Sequence, residues 1–388
     1  MRYVSTRGEA PQHNFVDVML AGLARDGGLY VPVSWPTLDP KVIAGFAGRP
    51  YAEVAVEVIK PFVGDSIPEA DLARMAREAY GTFRHPATAP LVQLSDSLFV
   101  LELFHGPTLA FKDLAMQLVA RLMDHVLIKR SERTTIVVAT SGDTGGEAVE
   151  AFRGRSQVDV VVLYPHGRIS EVQRRMMTTT GDPNVHTLAI EGTFDDCQAL
   201  VKSMFNHHAF RDRVRLSGVN SINWARIVAQ VVYYFTAAVA LGSPHRKVAF
   251  TVPTGNFGDV YAGYVASRMG LPVDRLVVAT NVNDILARTL ATDPDPKNRD
   301  GAQAVTLAEN ANIISGGNQP FVLDILAMAY AEAGRFPDAQ QIATKAIDLA
   351  TNANLPDLAT AIRQHLALYQ ANQPCRDAFT NAPSAKSP

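Results

Sequence analysis

TTIVVATSGDTGGEAV, residues 134–149, is a β-branched run followed at once by a Ser/Thr/Gly turn and the start of an apolar helix. A run apolar on both faces fits a strand that helices cover from each side. Similar runs stand on either side of it: LFVLELF (98–104), VDVVVLYP (158–165), NVHTLAIEG (184–192), KVAFTVPTG (247–255) and DRLVVATN (274–281). Helix-length segments separate them. In the one after Lys112, Leu114, Leu118 and Leu122 recur every four residues. Strand–helix alternation predicts an α/β fold with a mostly parallel sheet and helices on both faces. The α/β region is expected over 91–290. Residues 1–90 read mainly as helices and turns, DGGLYVP (26–32) among the turns, and form an expected N-terminal subdomain.

Beyond residue 291 the character of the chain changes. DPDPKNRDG (293–301) is polar and Pro-punctuated, so 291–300 is expected to be a linker. The segment 301–372 is Ala-rich and helical with no strand candidate. Leu326, Ala327, Tyr330, Gly334, Ala339, Ala346 and Ile347 fall at the small and aromatic positions of a tetratricopeptide repeat. Ala304, Ala308 and Ala311 fit the second helix of a preceding unit; a generic Ala-rich helical hairpin fits the same residues. The segment 373–388 is expected to be a flexible tail.

Composition narrows the function. The chain has 388 residues, 47% of them hydrophobic, and a net charge of −2 with both signs mixed. A broad basic surface for nucleic acid is not expected. No apolar run reaches the roughly 18–20 residues of a membrane span, and the polar N-terminus MRYVSTRGEAPQHNF does not read as a signal peptide. Cys197 and Cys375 match no metal or redox spacing, so no metal is expected. A cytoplasmic protein is the expectation.

Three stretches offer chemistry. In HGPTLAFKD (105–113), an isolated Lys112 follows a strand and a Gly-Pro turn, sits beside Phe111 and opens an apolar helix. Desolvation there would favour a neutral, nucleophilic amine; an ordinary solvated lysine fits the same pattern. In TSGDTGGEAV (140–149) the turn is Ser141, Gly142, Asp143, Thr144 and Gly145, directly between strand and helix. Glycines let a ligand approach the backbone, and a helix start favours an anion. In PTGNFGDV (253–260), Gly255, Asn256, Phe257, Gly258 and Asp259 come after another strand and could present N–H groups to a phosphate. Each loop taken alone is also a plain strand–helix turn.

A lysine after a strand, then a Ser/Thr/Gly loop, then a Gly-Asn-x-Gly loop resembles the fold-type II pyridoxal-phosphate enzymes. The wording narrows the resemblance to threonine synthase, over about residues 3–288. It is carried by YVSTRG (3–8), FHGPTLAFKD (104–113), ATSGDTGGEA (139–148), HGRIS (166–170), QRRMMTT (173–179), EGTFDDCQALVK (191–202), VNSINWARIVAQVVYYF (219–235), VPTGNFGDVYAGY (252–264) and ATNVNDILAR (279–288).

By that resemblance Lys112 carries pyridoxal 5'-phosphate and shuttles protons. Gly255–Asp259 cradle the cofactor phosphate, and Ser141–Gly145 lie near the substrate carboxylate and the cofactor, with Asp143 near its ring hydroxyl. The implied reaction takes O-phospho-L-homoserine and water to L-threonine and phosphate. Arg168, Asn223 and Arg226 are the candidates for holding the substrate phosphate. A solvated arginine, a helix cap and a helix-face charge are their respective alternatives. His105 reads as a proton partner of the lysine or as a structural histidine.

The last quarter departs from the family. No segment of 291–388 matches it, and the C-terminal part of the family supplies sheet elements and a hydroxyl partner for the pyridine nitrogen. Three further readings stand beside an active threonine synthase: an inactive threonine-synthase-derived interaction protein with a partner on its C-terminal helices, a fusion of unrelated pieces, or another pyridoxal-phosphate lyase such as a dehydratase.

Overall fold

The computed structural model describes residues 1–220, 223–254, 256–279 and 285–376. The chain divides into two compact units, Met1–Val278 and Ala279–Pro388.

In the first unit Tyr3–Ser5 pairs antiparallel with Tyr30–Pro32. Neither is expected as a strand from the sequence, and they come together over a long stretch of chain. The helix Tyr51–Val63 buries Val54, Ala55, Val58, Ile59 and Phe62, which recur at helical spacing on one face. Glu69–Tyr80 does the same with Leu72, Met75, Ala76 and Ala79, and packs against it. Leu91–Gln93 and Phe99–Leu101 form an antiparallel hairpin ahead of the Lys112 loop.

The parallel sheet has four strands, in the order Val185–Ile190, Val158–Pro165, Thr134–Ala139, Leu216–Ser217. Its register sets Ile136 against Val160 and Val160 against Val185. Val248–Pro253 and Val273–Ala279 are also strands, as expected, but they pair with each other in a separate two-stranded sheet. Two helices run through the interior. Asp113–Arg130 and Trp224–Ala240 bury residues around most of their circumference, which marks helices enclosed by other elements.

The longer elements of the second unit, among its described residues, are five α-helices: Ile285–Thr292, Gly301–Ile314, Pro320–Glu332, Phe336–Asn352 and Pro356–Gln370. Ala339, Ala343, Ala346 and Ala350 form a buried stripe of small residues along one helix, so its neighbours can approach closely. Gly334 turns the chain between two of the helices at φ +76°, a conformation that glycine adopts without strain. The boundary lies upstream of the expected 291–300 linker. The Pro-punctuated stretch folds back within this unit: Asp300 N–H donates to Leu290 O at 3.0 Å. Arg299 donates to Asp293 O at 2.6 Å and pairs with Glu332 at 2.9 Å. Its prolines and aspartates therefore make a tied turn.

Among the described residues no helix is long and apolar enough to cross a membrane, and no group of three or more His, Cys, Asp or Glu side chains could hold a metal ion.

Candidate active site

The loop before Lys112 is clamped from within. Thr108 donates to Asp113 Oδ2 twice, from its backbone N–H at 2.7 Å and from its hydroxyl at 2.8 Å. Gly106 passes so close that a Cβ there would lie 2.5 Å from Asp113 Cβ. The short turn therefore fixes Lys112 as the residue that leads into Asp113–Arg130. The Lys112 side chain is only 19% exposed, and its ammonium lies 3.7 Å from Asp143 Oδ2. Burial pushes the Asp113 carboxyl up to about 6, against the pull of the Thr108 bonds.

Asp143 comes from the loop that leaves Thr134–Ala139. Thr140 organises that loop: its Oγ1 accepts the N–H groups of Gly142 and Gly145, both at 2.9 Å. Gly142 sits at φ +140°, and a Cβ there would stand 2.3 Å from the Gln173 side chain. Gln173 uses this closeness, donating from Nε2 to Asp143 Oδ1 at 2.6 Å. Its Oε1 accepts the Ser170 hydroxyl at 2.9 Å. Ser170 and Gln173 form the capping box of Glu171–Thr178. Ser170, Gln173, Asp143 and Lys112 thus form one polar chain across three elements. Gln173 was not among the sequence candidates, although its spacing from Ser170 is the capping-box signal.

Glu147, on the same helix as Asp143, was also not a sequence candidate. It is fully buried, and neither carboxyl oxygen has a hydrogen-bond partner. Burial pushes its carboxyl up to about 8; Lys112 and Arg226 pull the other way, while Asp113 and Asp143 add to the rise. A carboxyl that is neutral at neutral pH is therefore buried within reach of the lysine's charge. An acidic residue in the apolar run TGGEAV is the signal that would have marked it.

The remaining expected residues take different places. Ser141 is exposed and Thr144 half-buried on the Asp143 turn. Arg168 is exposed just beyond Val158–Pro165, on the same end of the sheet as the Asp143 loop. Asn223 lies in the interior. Its amide nitrogen donates to Met19 O at 3.0 Å and Gly218 O at 2.9 Å, while its oxygen caps the helix by accepting Ala225 N–H. Arg226 is equally enclosed and donates to Val219 O at 2.6 Å. Both side chains face protein backbone, tying the start of Trp224–Ala240 to Met19, Gly218 and Val219. His105 bonds the Glu102 carboxylate at 2.8 Å.

Gly255 lies outside the described residues. Asn256 and Phe257 are exposed, and Gly258 begins the helix Gly258–Arg268. The Asp259 carboxylate is turned inward, accepting the hydroxyls of Tyr233 and Tyr234. Its side chain is thus engaged in packing. Backbone N–H groups at the helix start are what this stretch can offer an anion. No hydrogen bond or ion pair among the described residues joins 256–259 to Lys112 or Asp143.

Comparison with known proteins returns one consistent set of relatives. The threonine synthase N-terminus family matches residues 2–80, and the pyridoxal-phosphate dependent enzyme family matches residues 82–352. The second match runs past residue 288, where the sequence resemblance was expected to stop, and takes in helices of the second unit. Threonine synthase of Pseudomonas aeruginosa is 60% identical over 291 residues, 75% of this chain and 62% of that protein. The protein of that name from Schizosaccharomyces pombe is 45% identical over 75% of this chain and 59% of its own. The chain thus spans about three fifths of the length of these two relatives. For Corynebacterium glutamicum threonine synthase the identity is 42%, over 84% of this chain and 69% of the relative. Among solved structures, the pyridoxal-phosphate-bound threonine synthase of Brucella melitensis superimposes with a TM-score of 0.71 at 45% identity, covering 98% of this chain and 97% of the other.

Proposed function

Because this chain belongs to the threonine synthase family of pyridoxal-phosphate dependent enzymes, we propose that it is a carbon–oxygen lyase converting O-phospho-L-homoserine and water to L-threonine and phosphate. The observation that carries the reading is the half-buried Lys112 amine held 3.7 Å from the Asp143 carboxylate.

The residues fit pyridoxal phosphate. Lys112 offers an amine for its aldehyde, and the turn at Gly142 leaves no Cβ between the Asp143 loop and Gln173. The start of Gly258–Arg268, after Gly255, Asn256 and Phe257, offers backbone donors for its phosphate. When bound, the cofactor supplies the electron sink for the bonds broken beside the substrate amine. The protein's part is positional and protonic. Asp143, anchored by Gln173, orients the Lys112 nitrogen, which takes and returns protons at the substrate carbons. Ser141 and Thr144 supply hydroxyl donors for the substrate carboxylate, and Arg168 supplies a guanidinium for its phosphate. Asn223 and Arg226 act one step back, by tying the start of Trp224–Ala240 to the backbone of Gly218 and Val219.

The second unit supports a second role. Its consecutive helices, the small-residue stripe and the Gly334 turn have the character of a tetratricopeptide-like module that takes a protein partner. Cys197 and Cys375 are both unpaired, which suits the reducing cytoplasm.

Purified protein supplied with pyridoxal phosphate tests the main reading. It should release phosphate and threonine in equal amounts from O-phosphohomoserine, and Arg168→Ser should raise KM more than it lowers kcat. Ammonia and a keto acid formed from serine or threonine, with no phosphate release, would make it a dehydratase instead.

A further inference from the structure

Thr134–Ala139 and Leu216–Ser217 run parallel, with Thr135 against Leu216. The Asp143 loop leaves the C-terminal end of the first strand. At the opposite end a cavity of about 390 Å³ opens, lined by Thr134, Leu216 and five guanidinium groups: Arg25, Arg130, Arg133, Arg211 and Arg215.

Arg211 is the most telling of them. It is 7% exposed. Its Nη2 donates to the carbonyl oxygens of Ala21 and Leu23, at 3.3 and 2.6 Å. Its guanidinium lies over the Phe205 ring, 5.2 Å from the centroid. Among the described residues it forms no ion pair with a carboxylate. A buried charge ordinarily has an opposite charge beside it, since leaving water costs more than carbonyl bonds return.

The other four arginines are paired with carboxylates, in pairs whose side chains are partly or largely exposed to solvent. Arg25 pairs with Asp212 at 2.5 Å, Arg130 with Asp17 at 2.8 Å and Arg215 with Glu132 at 3.6 Å. Arg133 pairs with Asp159, which does not line the cavity. Four of the five guanidinium groups thus have a carboxylate partner, and Arg211 is the one among the described residues that has none. Solvent-exposed pairs of this kind are worth little individually, so their arginines can turn to a better partner at small cost.

We propose that this cavity binds a small dianion of the phosphate class, either a phosphate monoester or free phosphate. Guanidinium forks match phosphate oxygens in pairs, and Arg211 gains there the counter-charge it lacks. The volume lies within the range of small-metabolite sites. The cavity is separate from Lys112 and does not depend on the reading of that site.

Calorimetric titration of inorganic phosphate into protein saturated with pyridoxal phosphate tests this, comparing wild type, Arg25→Ser/Arg215→Ser and Arg168→Ser. Arg25 and Arg215 are chosen because their side chains are more than half exposed, so their removal takes away little packing. Wild type should show a phosphate-binding component that is weakened at least about tenfold in the double variant, as expected for lost charged hydrogen bonds. Arg168→Ser should retain it. Repeating the titration with glycerol 3-phosphate separates the sources: tighter binding marks a monoester site, equal or weaker binding a free-phosphate site. Equal affinity in wild type and double variant, or no binding up to about 10 mM, overturns the proposal.

Discussion

One carboxylate serves two partners: Asp143 Oδ2 lies 3.7 Å from Lys112 Nζ while its Oδ1 accepts Gln173 Nε2 at 2.6 Å. The lysine's counter-charge is therefore held in place by a residue that does not itself touch the lysine. Removing the Gln173 amide leaves Asp143 free to turn toward water.

Gln173→Ala should weaken cofactor retention by about tenfold to a hundredfold, the value of one charged hydrogen bond. Gln173→Glu should do at least as much damage, because it sets a second negative charge against Asp143. Equilibrium dialysis of pyridoxal phosphate measures both.

Gly142→Ala should be destabilising. The φ of +140° disfavours any Cβ, and the Gln173 side chain in its way is pinned at both ends. A cost of about 1–3 kcal/mol is expected from the backbone alone, read from urea unfolding midpoints, together with weakened cofactor binding.

Glu147 gives a pH signature. Its carboxyl is raised to about 8 in the fold from an ordinary value near 4.5, so the folded chain holds that proton more tightly than the unfolded one. The contribution of this group is complete below pH 4.5 and is lost as pH rises to about 8. Glu147→Gln removes the loss. The stability of the variant relative to wild type should therefore climb between about pH 5 and 8.5, by on the order of 4 kcal/mol. Denaturant unfolding across that range checks it, and a flat difference contradicts the buried, neutral carboxyl.

In the second unit, Ala343 is fully enclosed in the small-residue stripe of Phe336–Asn352. Ala343→Leu should overpack it, lowering stability by about 1–3 kcal/mol. The helical circular dichroism transition reports this directly.

Legibility in the sequence followed locality. Thr134–Ala139 and Val158–Pro165 could be read because β-branched runs bounded by turn residues need no partner to be recognised. Leu216–Ser217 was missed because two residues carry no period. Tyr3–Ser5 and Tyr30–Pro32 were missed because their pairing is not local. The 291–300 stretch looked like a linker because its prolines and charges are visible in the sequence, whereas the Arg299–Glu332 pair that ties it down is not. The loops that carry Lys112 and Asp143 were readable in the sequence, but not that the two side chains meet at 3.7 Å. The inward turn of Asn223, Arg226 and Asp259 depends on backbone and tyrosines supplied from elsewhere, which no motif encodes.

The central claim is that Lys112 carries the cofactor. Reducing the pyridoxal-phosphate-loaded protein with borohydride and mapping its peptides tests it most directly, with Lys112→Ala beside the wild type. The cofactor mass should appear on the peptide containing Lys112 and on no other, and be absent from a folded Lys112→Ala variant. Label on a different lysine, or equal labelling of the variant, would contradict the claim.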